Sequence, residues 1–369
     1  MNKKFRLLWS LKTTFILVSL ILVTVFASTT TKTINYDDGS NEDYYDEQTN
    51  TIYLSKMPLK DKITQMIIVN HVGFLQDYYK ENKFGGVYIV KAETKTEFQD
   101  IVSFYNCNDC VPMFISVDLE GRYSNPFSNI QEFSCLSEIK SNDAAYALGD
   151  EQGKLLSELG INIIYSPVLD LEDNIWHCRN FEHFKNNPEE LANVAISYLQ
   201  GLHKNNIIAI AKHYPGKTLK GDDLHKGLVY VDVSDDDLVP FEKIKNYADG
   251  IMVTHSVSTG KIESYNKPCS ISKDVINQLD YDGLIVADDI GMTGLEQYYI
   301  NNNIEVGQSY IDVINAGNNL IIYFDLDTKN MDNMIKIIMN AVENNEISIK
   351  TINDNIKKIL EQKNIKVVE

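Results

Sequence analysis

Ile207-Ile208-Ala209-Ile210-Ala211-Lys212-His213-Tyr214-Pro215-Gly216 runs from five apolar residues straight into ionisable and turn-forming ones. The apolar part has the length and composition of a strand buried on both faces, and Pro-Gly marks its end. Polar groups placed where a buried strand gives way to a loop are positioned for chemistry rather than packing. The pattern recurs at Leu284-Ile285-Val286, which leads into Ala287-Asp288-Asp289-Ile290-Gly291-Met292. Working outward, further strand candidates stand at 66–69, 86–90, 113–117, 161–166, 250–254 and 319–323. Amphipathic stretches separate them. In 188–203, for example, Leu191, Val194, Ala195, Tyr198 and Leu199 recur at helical spacing. Eight strands in roughly 310 residues, each followed by a helix, predict an α/β fold with a single (β/α)8 TIM-type barrel. A doubly wound open sheet is the alternative, but no Gly-x-Gly-x-x-Gly turn follows the first strand.

In such a barrel, active groups collect at the C-terminal ends of the strands. Asp118 follows the third candidate strand, Asp170 the fourth, Lys212 and His213 the fifth, His255 the sixth and Asp288 the seventh. Beyond the fifth strand, Asp223 precedes His225 by two residues on a polar, glycine-containing loop. A strand-end carboxylate and a carboxylate-linked imidazole are the parts of a nucleophile and acid/base site.

The 369 residues are 44% hydrophobic and 10% aromatic, enough for a large core and unlike a disordered chain. The net charge of -18 argues against nucleic acid as a partner, because that binding depends on Lys and Arg neutralising phosphates. At the N-terminus Lys3, Lys4 and Arg6 precede an uncharged run from Thr13 to Thr31, with Val25-Phe26-Ala27 before Ser28. A basic segment, a short apolar core and a small-residue cleavage site predict export, with residues 1–28 either a signal peptide or a membrane anchor. Residues 29–53 are polar and read as a tether to a barrel spanning 54–369. Five cysteines are present; Cys107-x-x-Cys110 suits either a small disulfide or incidental thiols, and it lacks the further ligands of a zinc site. No metal and no cofactor are expected.

Lys212-His213-Tyr214-Pro215-Gly216, Asp223-x-His225-Lys226-Gly227 and Asp288-Asp289-Ile290-Gly291-Met292 together resemble the β-N-acetylglucosaminidase branch of glycoside hydrolase family 3. The similarity extends from Leu59 to about Asp325. It includes Ile63-Thr64-Gln65-Met66, Asp118-Leu119-Glu120-Gly121-Arg122, Leu159-Gly160-Ile161-Asn162 and Ser166-Pro167-Val168-Leu169-Asp170. The resemblance implies that Asp288 is the nucleophile of a retaining reaction, with Asp289 a supporting neighbour. It implies that His225 is the acid/base, oriented by Asp223. It also implies that Asp118, Arg179, Lys212 and His213 bind the sugar. The implied substrate is a glycan or muropeptide ending in β-linked N-acetylglucosamine; separately, the chain is expected to be a monomer, and its N-terminal segment places it outside the cytoplasm.

Two stretches depart from the family pattern. Its His-Gly-Asp-Thr after Pro-Gly is Lys217-Thr218-Leu219-Lys220 here, with loop length kept. Its Gly-Gly-Arg-x-x-Arg becomes Gly121-Arg122-Tyr123-Ser124-Asn125-Pro126, which removes one substrate-binding Arg. These changes leave open a weakly active carbohydrate-binding relative, and an imidazole acid/base, which would repel incoming phosphate less than a carboxylate, leaves open a phosphorylase that uses the same site.

Overall fold

The computed structural model describes residues 44–106, 110–120, 124–172, 179–219 and 223–369. Residues 1–28 and most of the expected tether lie outside them, as do Cys107 and Cys178. Cys110 is disulfide-bonded, whereas Cys135 and Cys269 are buried thiols.

Eight all-parallel strands close on themselves: β1 Ile67–Asn70, β2 Gly86–Tyr88, β3 Phe114–Val117, β4 Ile163–Ile164, β5 Ile208–Tyr214, β6 Gly250–Val253, β7 Leu284–Ala287 and β8 Leu320–Tyr323. The ring follows chain order, and β8 pairs with β1 through Ile321–Ile67 and Tyr323–Val69. This is the expected (β/α)8 barrel. Its strands are apolar along nearly their whole length because helices cover them outside and side chains fill them inside. The eight strand candidates match the eight barrel strands, with β4 shorter than its apolar run and β5 longer, reaching Tyr214.

The helices carry their own stop signals. In the helix Asn142–Leu159, Ser141 accepts the main-chain N–H of Ala144, and Gly160 closes the end at φ +75°. That helix crosses Pro188–His203 backbone to backbone: a Cβ on Gly149 would lie 2.2 Å from the Tyr198 carbonyl oxygen, and one on Gly201 2.3 Å from that of Tyr146. Only glycine permits this approach. It draws together the two helices that flank β4.

The folded body starts earlier than the sequence reading placed it. Residues 44–53, expected to end the tether, form two short strands, Tyr45–Asp46 and Thr51–Tyr53. The second pairs in parallel with Lys366–Val368 at the far end of the chain, and Ile52 is fully buried. Strands of two and three residues carry no readable alternation, and the partner that stabilises them lies more than 300 residues away. A second unanticipated feature is a two-stranded parallel sheet of Tyr230–Val233 and Val257–Gly260, built from the segments after β5 and β6.

Candidate active site

The strand ends deliver their polar residues to one side of the barrel. After β3 come Asp118 and Glu120, and β5 contributes Lys212. Lys212 Nζ donates to Asp118 Oδ1 at 2.6 Å and also pairs with Glu120. Arg179 grips Glu120 with two contacts, Nε to Oε2 at 2.7 Å and Nη2 to Oε1 at 2.8 Å. The Tyr88 hydroxyl, at the end of β2, donates to Asp118 Oδ2 at 3.0 Å. Two cations thus face two carboxylates in a nearly dry setting, the arrangement in which buried charge is tolerable. Burial opposes the Glu120 charge, yet Lys212 and Arg179 outweigh it and hold the carboxyl far below the usual range. Burial likewise opposes the Lys212 charge, but Asp118 and Glu120 prevail and raise its pKa.

His213 follows Lys212 directly, and in a regular strand the two would face opposite sides. The β5–β6 register shifts between Lys212 and Tyr214, and Lys212 and His213 line the same cavity. His213 Nδ1 donates to Asp170 Oδ2 at 2.9 Å, and its main-chain N–H reaches the same oxygen at 3.2 Å. The other oxygen of Asp170 accepts the Thr218 N–H at 2.6 Å. Asp170 therefore fixes both the His213 ring and the loop after β5, leaving His213 Nε2 as its outward atom.

Asp288 and Asp289 follow β7. Burial disfavours the Asp288 charge, but the imidazoles of His213 and His255 and the Lys212 ammonium outweigh it and lower its pKa. The carboxylate is thus kept ionised, and the Asp289 N–H donates to its Oδ1 at 2.8 Å. Asp289 behaves oppositely. Burial pushes its pKa up to about 6, against main-chain donors at Gly291 and Phe324 and with the Asp288 charge adding to the rise. His255 is completely buried beneath this pair. Its Nε2 lies 2.9 Å from the Asp289 carbonyl oxygen, so that nitrogen carries the proton, and Nδ1 takes the Ser270 hydroxyl at 2.6 Å. Burial lowers its pKa despite the Asp288 carboxylate. With both nitrogens engaged, His255 has no proton to offer a substrate. It positions the turn at Asp289.

Asp223 and His225 stand on the loop beyond β5. His225 Nδ1 donates to Asp223 Oδ1 at 2.8 Å, and its main-chain N–H joins the same oxygen at 3.0 Å. The Asp223 side chain is 10% exposed and that of His225 is 69% exposed. Burial opposes the Asp223 charge, but the His225 contacts outweigh it and lower its pKa. Nδ1 is thereby committed to the carboxylate and Nε2 is left to meet a ligand. The loop rests on the segment after Asp289: Gly294 N–H donates to the Leu224 carbonyl at 3.0 Å, and Gln297 Oε1 accepts the Leu228 N–H at 3.1 Å.

A cavity of about 140 Å³ brings these residues together. All seven residues singled out as site candidates line it: Asp118, Arg179, Lys212, His213, Asp223, His225 and Asp288. Glu120, Tyr88 and Phe324 escaped the sequence reading as site residues. Glu120 stood within a quoted motif, and a carboxylate two residues beyond a strand-end Asp was the available signal. Phe324, whose ring lies 4.8 Å from that of Tyr88, carried none. Among the described residues no three His, Cys, Asp or Glu side chains are grouped to hold a metal ion.

Residues 58–362 match the family described as the glycosyl hydrolase family 3 N terminal domain. The chain belongs to glycosyl hydrolase family 3. It is accordingly a glycoside hydrolase, and the cavity lies at the strand-end side where barrels of this architecture carry their chemistry. Among curated relatives of this family 3 chain, Beta-hexosaminidase LpqI of Mycobacterium tuberculosis is 24% identical over 331 residues, covering 82% of each chain. The fold agrees with a family 3 β-N-acetylglucosaminidase from Paenibacillus sp. at a TM-score of 0.73 and 23% identity, over 84% of this chain and 62% of that one. A family 3 glycosyl hydrolase from Mycobacterium smegmatis superposes at 0.72 with 21% identity, over 84% of this chain and 98% of that one.

Proposed function

We propose that the protein is a retaining exo-β-N-acetylglucosaminidase that removes terminal β-linked N-acetylglucosamine, with peptidoglycan fragments as its natural source. The observation that carries this reading is the joint placement of an ionised strand-end carboxylate, Asp288, and an Asp223-held imidazole, His225, around one cavity walled by charged donors and acceptors. The names of the curated hexosaminidase relatives support the sugar.

In this mechanism Asp118, Arg179, Lys212 and His213 hold the sugar hydroxyls, each of which needs a partner once water is expelled. Asp288 attacks the anomeric carbon while His225 Nε2 gives its proton to the leaving oxygen. The resulting glycosyl ester is opened by a water that His225 deprotonates, so two inversions retain configuration. Asp223 stabilises the imidazolium that starts the first step and is restored by the second, as an orienting carboxylate does for a catalytic histidine. The basic Lys3, Lys4 and Arg6 and the apolar run behind them support action outside the cytoplasm.

The test is turnover of a nitrophenyl β-N-acetylglucosaminide, with the anomer of the first product read by NMR. Retention in the wild type, and a loss of several orders of magnitude in Asp288→Asn with the fold intact, is the expected result. An inverted product, or near-normal activity in that variant, would assign the nucleophile elsewhere.

A further inference from the structure

Thr218 occupies the position at which the family pattern carries glycine, in the segment joining β5 to the Asp223–His225 loop. Its neighbours are committed. Lys217 Nζ donates to the Asp232 carbonyl at 2.6 Å and pairs with Asp237 at 3.1 Å, and Leu219 is buried. The Thr218 main chain is tied as well, through its N–H to Asp170 Oδ1 at 2.6 Å. Since the second oxygen of Asp170 holds the His213 ring, Thr218 and His213 are set side by side by one carboxylate. Thr218 lines the same cavity as Asp288, and the residue is only 6% exposed. Its hydroxyl Oγ1 is buried and has no hydrogen-bond partner among the described residues.

A buried hydroxyl without a partner is costly in a folded protein, and such groups are uncommon enough to call for a reason. Glycine at this position would avoid the cost, and valine would fill the same volume without it. An unpaired hydroxyl on a residue of the cavity wall, whose main chain hydrogen bonds hold in place, is accounted for when a ligand completes it. We propose that Thr218 Oγ1 hydrogen-bonds a polar substituent of the bound sugar, a ring hydroxyl or the acetamido group, next to the one that His213 meets. Thr218 is then a specificity-determining residue of this chain, added to the sugar-binding set. This rests on the reading of the cavity as a site for N-acetylglucosamine.

The experiment compares wild type, Thr218→Val and Thr218→Ser by thermal unfolding, by kcat/KM on a nitrophenyl β-N-acetylglucosaminide and by calorimetric binding of N-acetylglucosamine. Thr218→Val should melt no lower than wild type, because it deletes an unpaired buried hydroxyl. It should nonetheless lose about 2- to 10-fold in kcat/KM and in binding, the size of one hydrogen bond. Thr218→Ser keeps the hydroxyl and should retain most of both. On a set of singly deoxygenated and de-acetylated substrates, the wild-type to Thr218→Val ratio should collapse towards one for the analogue that lacks the partner group. An active wild type whose Thr218→Val variant shows unchanged kcat/KM and binding overturns the contact alone. So does one whose ratio is the same for every analogue. A wild type that neither turns over the substrate nor binds N-acetylglucosamine overturns the functional reading, and the contact with it.

Discussion

Replacing Asp289 with Asn should stabilise the protein at neutral and alkaline pH, by an amount that vanishes in acid. The Asp289 carboxyl is partly buried beside the Asp288 carboxylate, and burial lifts its pKa from 3.8 to about 6. A group whose pKa is raised by folding holds its proton in the native state between those values while the unfolded chain has released it. The resulting stabilisation is whole below 3.8 and is lost as the pH rises through 6. Above that, the native state carries an ionised group that it would rather keep neutral. A shift of about two units at 1.36 kcal/mol each puts the penalty at up to roughly 3 kcal/mol. Asparagine keeps Oδ1 as acceptor for the Gly291 and Phe324 N–H groups, now 3.0 and 3.2 Å from it, and carries no charge. The assay is urea unfolding of both proteins at a series of pH values from about 4 to about 8, with slopes compared to check that the transition is unchanged. Taking the difference between the proteins cancels the many other groups that titrate in this range. A gap that opens from near zero to about 2–3 kcal/mol with rising pH is expected. A gap independent of pH, or a variant less stable than wild type at alkaline pH, would refute the reasoning.

Glu120→Gln leaves the buried Lys212 and Arg179 cations sharing Asp118, and should cost about 3–5 kcal/mol of stability in the same unfolding assay; a loss below about 1 kcal/mol would mean that water screens the cluster. Replacement of His225 should slow substrates with poor leaving groups far more than activated nitrophenyl glycosides, with Asp223→Ala giving the same pattern more mildly. Equal losses on both kinds of substrate would restrict His225 to binding. Cell fractionation with N-terminal sequencing should find the protein outside the cytoplasm, membrane-held or cleaved after Ala27, and recovery of an intact N-terminus in the soluble cytoplasmic fraction would count against export.

Much of this protein is decided by local pattern. Runs such as Ile207–Ala211 and Leu284–Val286 can be buried on both faces only in a covered parallel sheet, and eight of them with helices between leave a barrel as the economical closure. The same logic puts Asp118, Lys212, His213 and Asp288 on one rim, because every strand of such a barrel ends on that side. What sequence order leaves undecided is anything that depends on a partner distant along the chain. Glu120 becomes the hub of a buried charge cluster only when Arg179 and Lys212 reach it from elements 59 and 92 residues away. His255, a strand-end imidazole by position, is withdrawn from chemistry by Ser270 and the Asp289 carbonyl. Residues 44–53 fold because the end of the chain supplies their third strand. Asp288 and Asp289, adjacent and identical in kind, part in pKa because neighbouring imidazoles and the Lys212 ammonium outweigh burial at one, whereas burial prevails at the other. Periodicity and strand-end position are properties of a segment and can be read along it, whereas hydrogen-bond partners, burial and the local field belong to the packed whole and exist only once it has closed.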